Sequence, residues 1–318
     1  MSIKEPIIQK RAELYDIIRN NPNVERDHGI YLDFKIYDNL LTKLEHCVIN
    51  YIAKTLQETY KNDQFVIDKH FLLNYEKKIL SLPTRTPNGA FHPKKENIAE
   101  YNKLQKNIVN TLKELGILKH CLAVQPCTVR IMCGKNTELD HTRPLATTKL
   151  HSDSWASHIG DAILGVPLLG DPATTLEFYE PQNVTDDFFS PLLNYDEGLK
   201  KFKDKKFLGY ARMGYISIFD HACLHRTSLK NGNIRVSFDF GIIMNNKNSL
   251  YYESHKRKKV NLEDYRYEYF DTEMYSRLGD DLFVSVEETL EQAKYQYSQT
   301  NSDIYQRAPI KIVEKIGE

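Results

Sequence analysis

Nowhere in the 318 residues do about eighteen apolar residues run together, which excludes a hydrophobic helix across a bilayer. The opening residues, Met1-Ser2-Ile3-Lys4-Glu5, hold no apolar core of the length a signal peptide needs. There are only five cysteines, an odd number with no Cys-x-x-Cys pair. Neither a disulfide framework nor a zinc ribbon is therefore expected, and a reducing, cytoplasmic setting is. An excess of charge is also missing: 43 basic residues cancel 43 acidic ones. The chain thus has no bulk field for collecting nucleic acid, and the basic run His255-Lys256-Arg257-Lys258-Lys259 reads as a solvated face. No internal repeat and no compositional break marks off a second domain.

What is present is ordinary for a soluble globular protein, with 41% apolar and 27% charged residues. Apolar residues fall at helical spacing over residues 33–60 (Leu40, Leu41, Leu44, Cys47, Val48, Tyr51, Ile52) and again over 96–115 (Ile98, Tyr101, Leu104, Ile108, Leu112, Leu115). Residues 81–95, with three prolines and a Pro-Asn-Gly turn signal, separate them as a loop. The character changes near Cys121. Short β-rich runs follow at 128–133, 145–151, 162–168, 174–179, 214–220 and 233–244, spaced as in an antiparallel barrel or double-sheet jelly roll. A long polar interruption at 180–206, with Phe188, Phe189, Leu192 and Leu193 near its middle, has the length of a lid or binding loop. A last helix is expected over 286–297. The reading is a single unit of mainly helical support (1–120), a β core (121–245) and a C-terminal extension (246–318).

Leu150-His151-Ser152-Asp153-Ser154-Trp155 contains the only His-x-Asp of the chain. Side chains two apart on extended backbone project to the same side, so an imidazole and a carboxylate can take adjacent positions on a metal. Two histidines and one carboxylate suit iron(II) and leave the opposite face open. Alone the motif is weak, since roughly one such triplet arises by chance in a chain this long. A third ligand must come from a distant strand, and the segment from Phe219 to Thr227 offers His221 and His225. Beyond it, Ile234, Val236, Phe238 and Phe240 share one strand face while Arg235, Ser237 and Asp239 share the other. An arginine and a serine two apart can clamp a carboxylate, and a buried arginine is costly without an anion.

In these residues the chain resembles the 2-oxoglutarate and iron(II)-dependent dioxygenases. Their pattern is His-x-Asp, a distal His, and an arginine about ten residues later, often as Arg-x-Ser. Here the elements are His151 and Asp153, then His225 72 residues on, Arg235 ten further, and Ser237. The resemblance covers about residues 121–244. It implies an α+β chain with a double-stranded β-helix core and N-terminal and C-terminal helical additions. It also implies Fe(II) on His151, Asp153 and His225, with 2-oxoglutarate held by Arg235 and Ser237. Reaction with O2 would then release succinate and CO2. Arg130, on the strand with Thr128 and Met132, is a candidate for cosubstrate or substrate. Trp155, the only tryptophan, and Arg226 are candidate substrate contacts, while His158 reads as a surface loop residue.

Within the superfamily, His151-Ser152-Asp153-Ser154-Trp155 looks most like a biosynthetic branch that includes streptomycin-cluster and carbohydrate-cluster members. The DNA-repair dioxygenases carry a second arginine six residues after the first, where this chain has Gly241, and jumonji demethylases usually use a lysine anchor. A small polar metabolite is the expected partner, with neither nucleic acid nor membrane. The alternatives are a protein side-chain hydroxylase on the same fold, a cupin-type enzyme, which would usually show His-x-His and no arginine anchor, and a non-catalytic jelly-roll binding module.

Overall fold

A computed structural model describes residues 7–249 except 92, 94, 125–126, 135–142, 156–160, 191 and 231, and five short strands beyond them. The strands are β1 (Val24–Asp27), β2 (Tyr31–Lys35), β3 (Ala90–Phe91), β4 (Cys121–Val124), β5 (Thr128–Cys133), β6 (Ala162–Gly170), β7 (Thr174–Pro181), β8 (Lys205–Tyr210), β9 (Tyr215–Asp220), β10 (Leu224–Leu229) and β11 (Ile234–Met244). After them come β12 (Ser276–Arg277), β13 (Leu282–Val286), β14 (Ala293–Gln296), β15 (Ile304–Arg307) and β16 (Ile310–Glu314). The architecture mixes helices with antiparallel sheets.

The larger sheet runs β1-β2-β9-β6-β11-β4-β12, with β5 pairing both β11 and β3; the smaller runs β10-β7-β8. The 11 residues of β11 make it the spine. It pairs with β6 along one edge, and along the other with β5 over its first half and β4 over its second. Strand alternation then sorts its side chains. Ile234, Val236, Phe238, Phe240 and Ile242 join one continuous core with Leu164, Val166, Val129 and Ile131.

That core is completed by two helices lying on the sheet. Asp38–Thr59 buries Leu40, Leu44, Val48, Tyr51, Ile52 and Leu56 at steps of three and four residues. Ile98–Glu114 contributes Tyr101, Leu104, Ile108 and Leu112. The pair is pinned by a 2.7 Å hydrogen bond from Asn97 Nδ2 to Thr55 Oγ1 and by an edge contact of Tyr51 with Tyr101. Both helices match the sequence pattern, except that residues 33–35, expected in the first, belong to β2, and their work is to back the sheet.

Three expectations need correction. Residues 145–151 form turns, with only His151 in a bridge, because the carbonyls there bond locally or to single partners such as Thr227 N. The helix over 286–297 is replaced, where described, by strands: β13 pairs with β16 and β14 with β15. Tyr- and Ile-bearing segments with extended partners available favour strands over an isolated helix, so the C-terminal addition is not helical in its described parts. The stretch 180–206 is not one open loop. It holds a 3-10 turn at Asp186–Phe189 and a helix at Tyr195–Lys201, capped by Asn194, whose side chain accepts from the amide of Asp196. His158 and the basic run 255–259 lie outside the described residues.

Candidate active site

The two sheets enclose a cavity of about 250 Å³. Its walls come from β5, β6, β9 and β11 on one side and from β7 and β10 on the other, with His151 and Asp153 at one end. The site is assembled by one backbone contact. His151 and His225 form an antiparallel bridge, with His151 N donating to His225 O at 3.0 Å and His225 N to His151 O at 2.8 Å. Directly paired residues project to the same face, so the two rings lie 4.3 Å apart although 74 residues separate them in the chain.

Asp153 completes the group. His151 Nε2 lies 3.7 Å from its Oδ1 and His225 Nε2 3.6 Å from its Oδ2. The ligand atoms of the three residues fall within 4.8 Å of one another. The opposite ring nitrogens face backbone carbonyls: His151 Nδ1 is 2.7 Å from Lys149 O, and His225 Nδ1 3.1 Å from Cys223 O. A carbonyl only accepts, so each Nδ1 must donate, which leaves each Nε2 with a free lone pair directed at the shared centre. Burial and the neighbouring His225 push the His151 pKa down to about 3, so it stays neutral. Burial opposes ionisation of Asp153, but the surrounding His225, His151 and His221 hold its pKa below the ordinary value. Two imidazoles and one carboxylate are the donor set that suits iron(II), and these residues fit that ion.

Deeper along β11 is Arg235, 1% exposed, whose Nε and Nη1 have no hydrogen-bond partner. Burial, reinforced by nearby Arg130, lowers its pKa to about 10. A buried guanidinium with unmet donors is costly unless an anion joins it. Ser237 lines the same face two residues on, directly across from Arg130. Asp239, on the same strand face as Arg235, is taken by Arg130, through Nε and through Nη2 at 3.3 Å.

Trp155 and Arg226 do not line this cavity. Trp155 is fully buried in a cluster with Phe188, Tyr195 and Phe202, and its Nε1 donates to Phe188 O at 2.9 Å. Arg226 follows His225 on a strand, so alternation turns it outward, where it binds Glu177 at 2.7 Å. The folded part of 180–206 packs on the same cluster, and none of its described residues lines the cavity. Tyr195 stacks on His151 at 4.3 Å and 14°. Gly198 makes room for Trp155: a Cβ there would sit 2.6 Å from the indole.

Of three further contributors, only Asn88 has no candidate role in the sequence. His221 lines the cavity and stays neutral, its pKa pushed by burial to about 4. Asp239 faces the cavity beside Arg130. Asn88, in the Pro-Asn-Gly turn, is a hub: its carbonyl accepts from Arg130 Nη1 at 3.2 Å, and its side-chain oxygen accepts from Arg143 Nη1 at 2.7 Å and Thr147 N at 3.3 Å. Asp239 follows from the alternation in β11 and His221 from the distal histidine segment, whereas the role of Asn88 depends on tertiary contacts.

No family model matches the sequence, and no curated protein matches it. Solved structures of non-haem alpha-ketoglutarate-dependent enzymes are similar to it. The carbocyclase SnoK from nogalamycin biosynthesis matches at 8% identity and a TM-score of 0.39, over 74% of this chain and 83% of that one. The epimerase SnoN, in complex with Fe3+, alpha ketoglutarate and nogalamycin RO, matches at 11% identity and 0.33, over 74% and 83%. AviO1 from Streptomyces viridochromogenes Tue57 matches at 9% identity and 0.38, over 67% and 89%. Among the described residues no helix is long and apolar enough to cross a membrane.

Proposed function

We propose that this chain is an iron(II)- and 2-oxoglutarate-dependent oxygenase, built on a double-stranded β-helix, that oxidises a small polar metabolite. The observation that carries the reading is the pairing of two features in one cavity. At one end are two histidines and a carboxylate converging on a point; on the wall is a fully buried arginine with unmet donors. A cupin-type metal site accounts for the first feature and leaves the second unexplained.

His151 and His225 would present Nε2 to the metal, and Asp153 would supply the single negative charge. Bound iron(II), with 2-oxoglutarate and O2, supplies oxidative decarboxylation to succinate and CO2 and the oxidation of a substrate carbon. Arg235 would take the distal carboxylate of 2-oxoglutarate in charge-assisted hydrogen bonds, and the Ser237 hydroxyl would add one. The apolar parts of the wall, Ile163, Leu176 and Phe219, keep the reacting end from bulk water.

Succinate release from 2-oxoglutarate and iron(II), measured without any added substrate, tests the reading. Uncoupled turnover is expected in the wild type and should be lost in Asp153→Ala. An equal rate in the two proteins sinks the assignment.

A further inference from the structure

The charged side chains on the cavity wall, among the described residues, are Arg130, Asp153, Arg235 and Asp239. Two are cations and two are anions, so these charged side chains cancel there. On the function proposed above, a divalent metal and a dianionic cosubstrate also cancel each other. The loaded cavity then carries no net charge.

The Arg130–Asp239 pair faces the cavity with both partners, the arginine side chain 30% and the aspartate side chain 26% open. The guanidinium spends Nε and Nη2 on Asp239 and Nη1 on the carbonyl of Asn88. The Asp239 carboxylate receives only that one arginine among the described contacts, and two oxygens have about four acceptor positions. About a quarter of its side chain is open, and it lies on the cavity face, across from Thr128. What the pair offers an incoming molecule is therefore a charge-balanced contact with spare acceptor positions on Asp239, and the matching group is one that can donate to that carboxylate.

Donors come as hydroxyls or as ammonium groups. An ammonium would compete with Arg130 for Asp239 and leave an uncompensated cation in a site of restricted solvation. A carboxylate would meet Asp239 as a like charge. A hydroxyl meets neither cost. We infer that the part of the substrate entering this cavity is uncharged and hydroxyl-bearing, and that Asp239, held by Arg130, reads it. This rests on the function proposed above and adds the substrate's chemical class.

Three probes of one ring shape test it: glucose, glucosamine and glucuronate, neutral, cationic and anionic at neutral pH. Their binding is read by ligand-detected saturation-transfer NMR, without oxygen, on full-length protein loaded with Mn(II) and 2-oxoglutarate. Glucose should give the strongest signal. Asp239→Asn leaves Arg130 uncompensated and should move the preference to glucuronate. Arg130→Gln leaves Asp239 uncompensated and should move it to glucosamine. Each shift should be about threefold, the scale of one partly exposed charge contact. The two variants change the preference in opposite directions, so misfolding of one leaves the other decisive. A charged probe favoured by the wild type, no difference among the three, or no shift in the variants overturns the inference. The thermal midpoint with and without 2-oxoglutarate, taken on the same Mn(II)-loaded samples, separates the two levels. If 2-oxoglutarate does not raise it in the wild type, the proposed function itself fails, whereas a raised midpoint with the wrong probe preference removes only the substrate class.

Discussion

Tyr195 lies flat against His151, ring centroids 4.3 Å apart and planes within 14°. The tyrosine belongs to a helix 44 residues beyond the histidine, held at its start by Tyr195 N bonding Pro144 O and by Lys149 bonding Asp196 at 2.6 Å. The segment after β7 therefore acts as a buttress behind His151, one of the proposed metal ligands. Tyr195→Ala should lower affinity for Mn(II) about tenfold, the lower end of what outer-shell contacts contribute, because His151 gains rotational freedom. Tyr195→Phe keeps the ring and should keep most of the affinity. Calorimetric titration decides, and equal affinities in all three proteins would remove the buttress role.

The ligand set can be tested residue by residue. His151→Ala, Asp153→Ala and His225→Ala should each lose at least about a hundredfold in metal affinity while remaining folded by circular dichroism. His221→Ala serves as the contrast. It lines the same cavity but lies outside the three-residue group, so it should bind metal within a few-fold of wild type. Loss of metal in His221→Ala alone, with the His225 variant unaffected, would show the distal ligand to be wrongly assigned.

Much of this site was legible because strand geometry is periodic. His-x-Asp was readable as a bidentate pair, and the split of β11 into Arg235, Ser237 and Asp239 against Val236, Phe238 and Phe240 follows from a period of two. The same rule, applied one residue past His225, would have sent Arg226 outward. Trp155 was not readable in this way. Its environment is made by Phe188, Tyr195 and Phe202, which arrive from another part of the chain, so adjacency to the motif said nothing about its direction. The 180–206 segment misled for a related reason. Its surface is polar, and the residues that anchor it, Phe188, Tyr195 and Phe202, are single aromatics without a period. The C-terminal helix failed because short segments take the conformation for which partners exist, here strands.

Arg235 supports a prediction with two opposite signs. Without an anion, its unmet donors and buried charge cost stability, so Arg235→Leu should raise the thermal midpoint of the ligand-free protein. With 2-oxoglutarate as the variable, the same variant should show an apparent KM raised roughly tenfold to a hundredfold, from the loss of charge-assisted hydrogen bonds worth about 1.5–3 kcal/mol. Ser237→Ala should shift KM the same way by less. A purely structural arginine predicts the reverse in the first measurement, namely a lowered midpoint.

The last prediction concerns a buried acid away from the cavity. Asp161 precedes β6; its Oδ2 accepts from Met244 N at 2.8 Å and Ser249 Oγ at 2.6 Å, while its Oδ1 has no partner. Burial raises its pKa from the ordinary 3.8 to about 6, although those two hydrogen bonds and Arg11 pull the other way and Asp220 adds to the rise. The folded-state pKa lies above the unfolded one, so the folded form prefers the protonated acid. Its contribution is fully present below about pH 4 and is lost as the pH climbs through about 6. Above that, the ionised carboxylate costs the fold on the order of 3 kcal/mol, from two pKa units at about 1.4 kcal/mol each. Asp161→Asn imitates the protonated form and cannot ionise. It should therefore be more stable than wild type at pH 8, by a margin of that order, and indistinguishable from it at pH 4. Urea unfolding of both proteins across that range measures the difference. A stability gain that is constant with pH would mean that the substitution acts through packing or the unfolded chain, and a loss at pH 8 would mean that the carboxylate is stabilised as the anion.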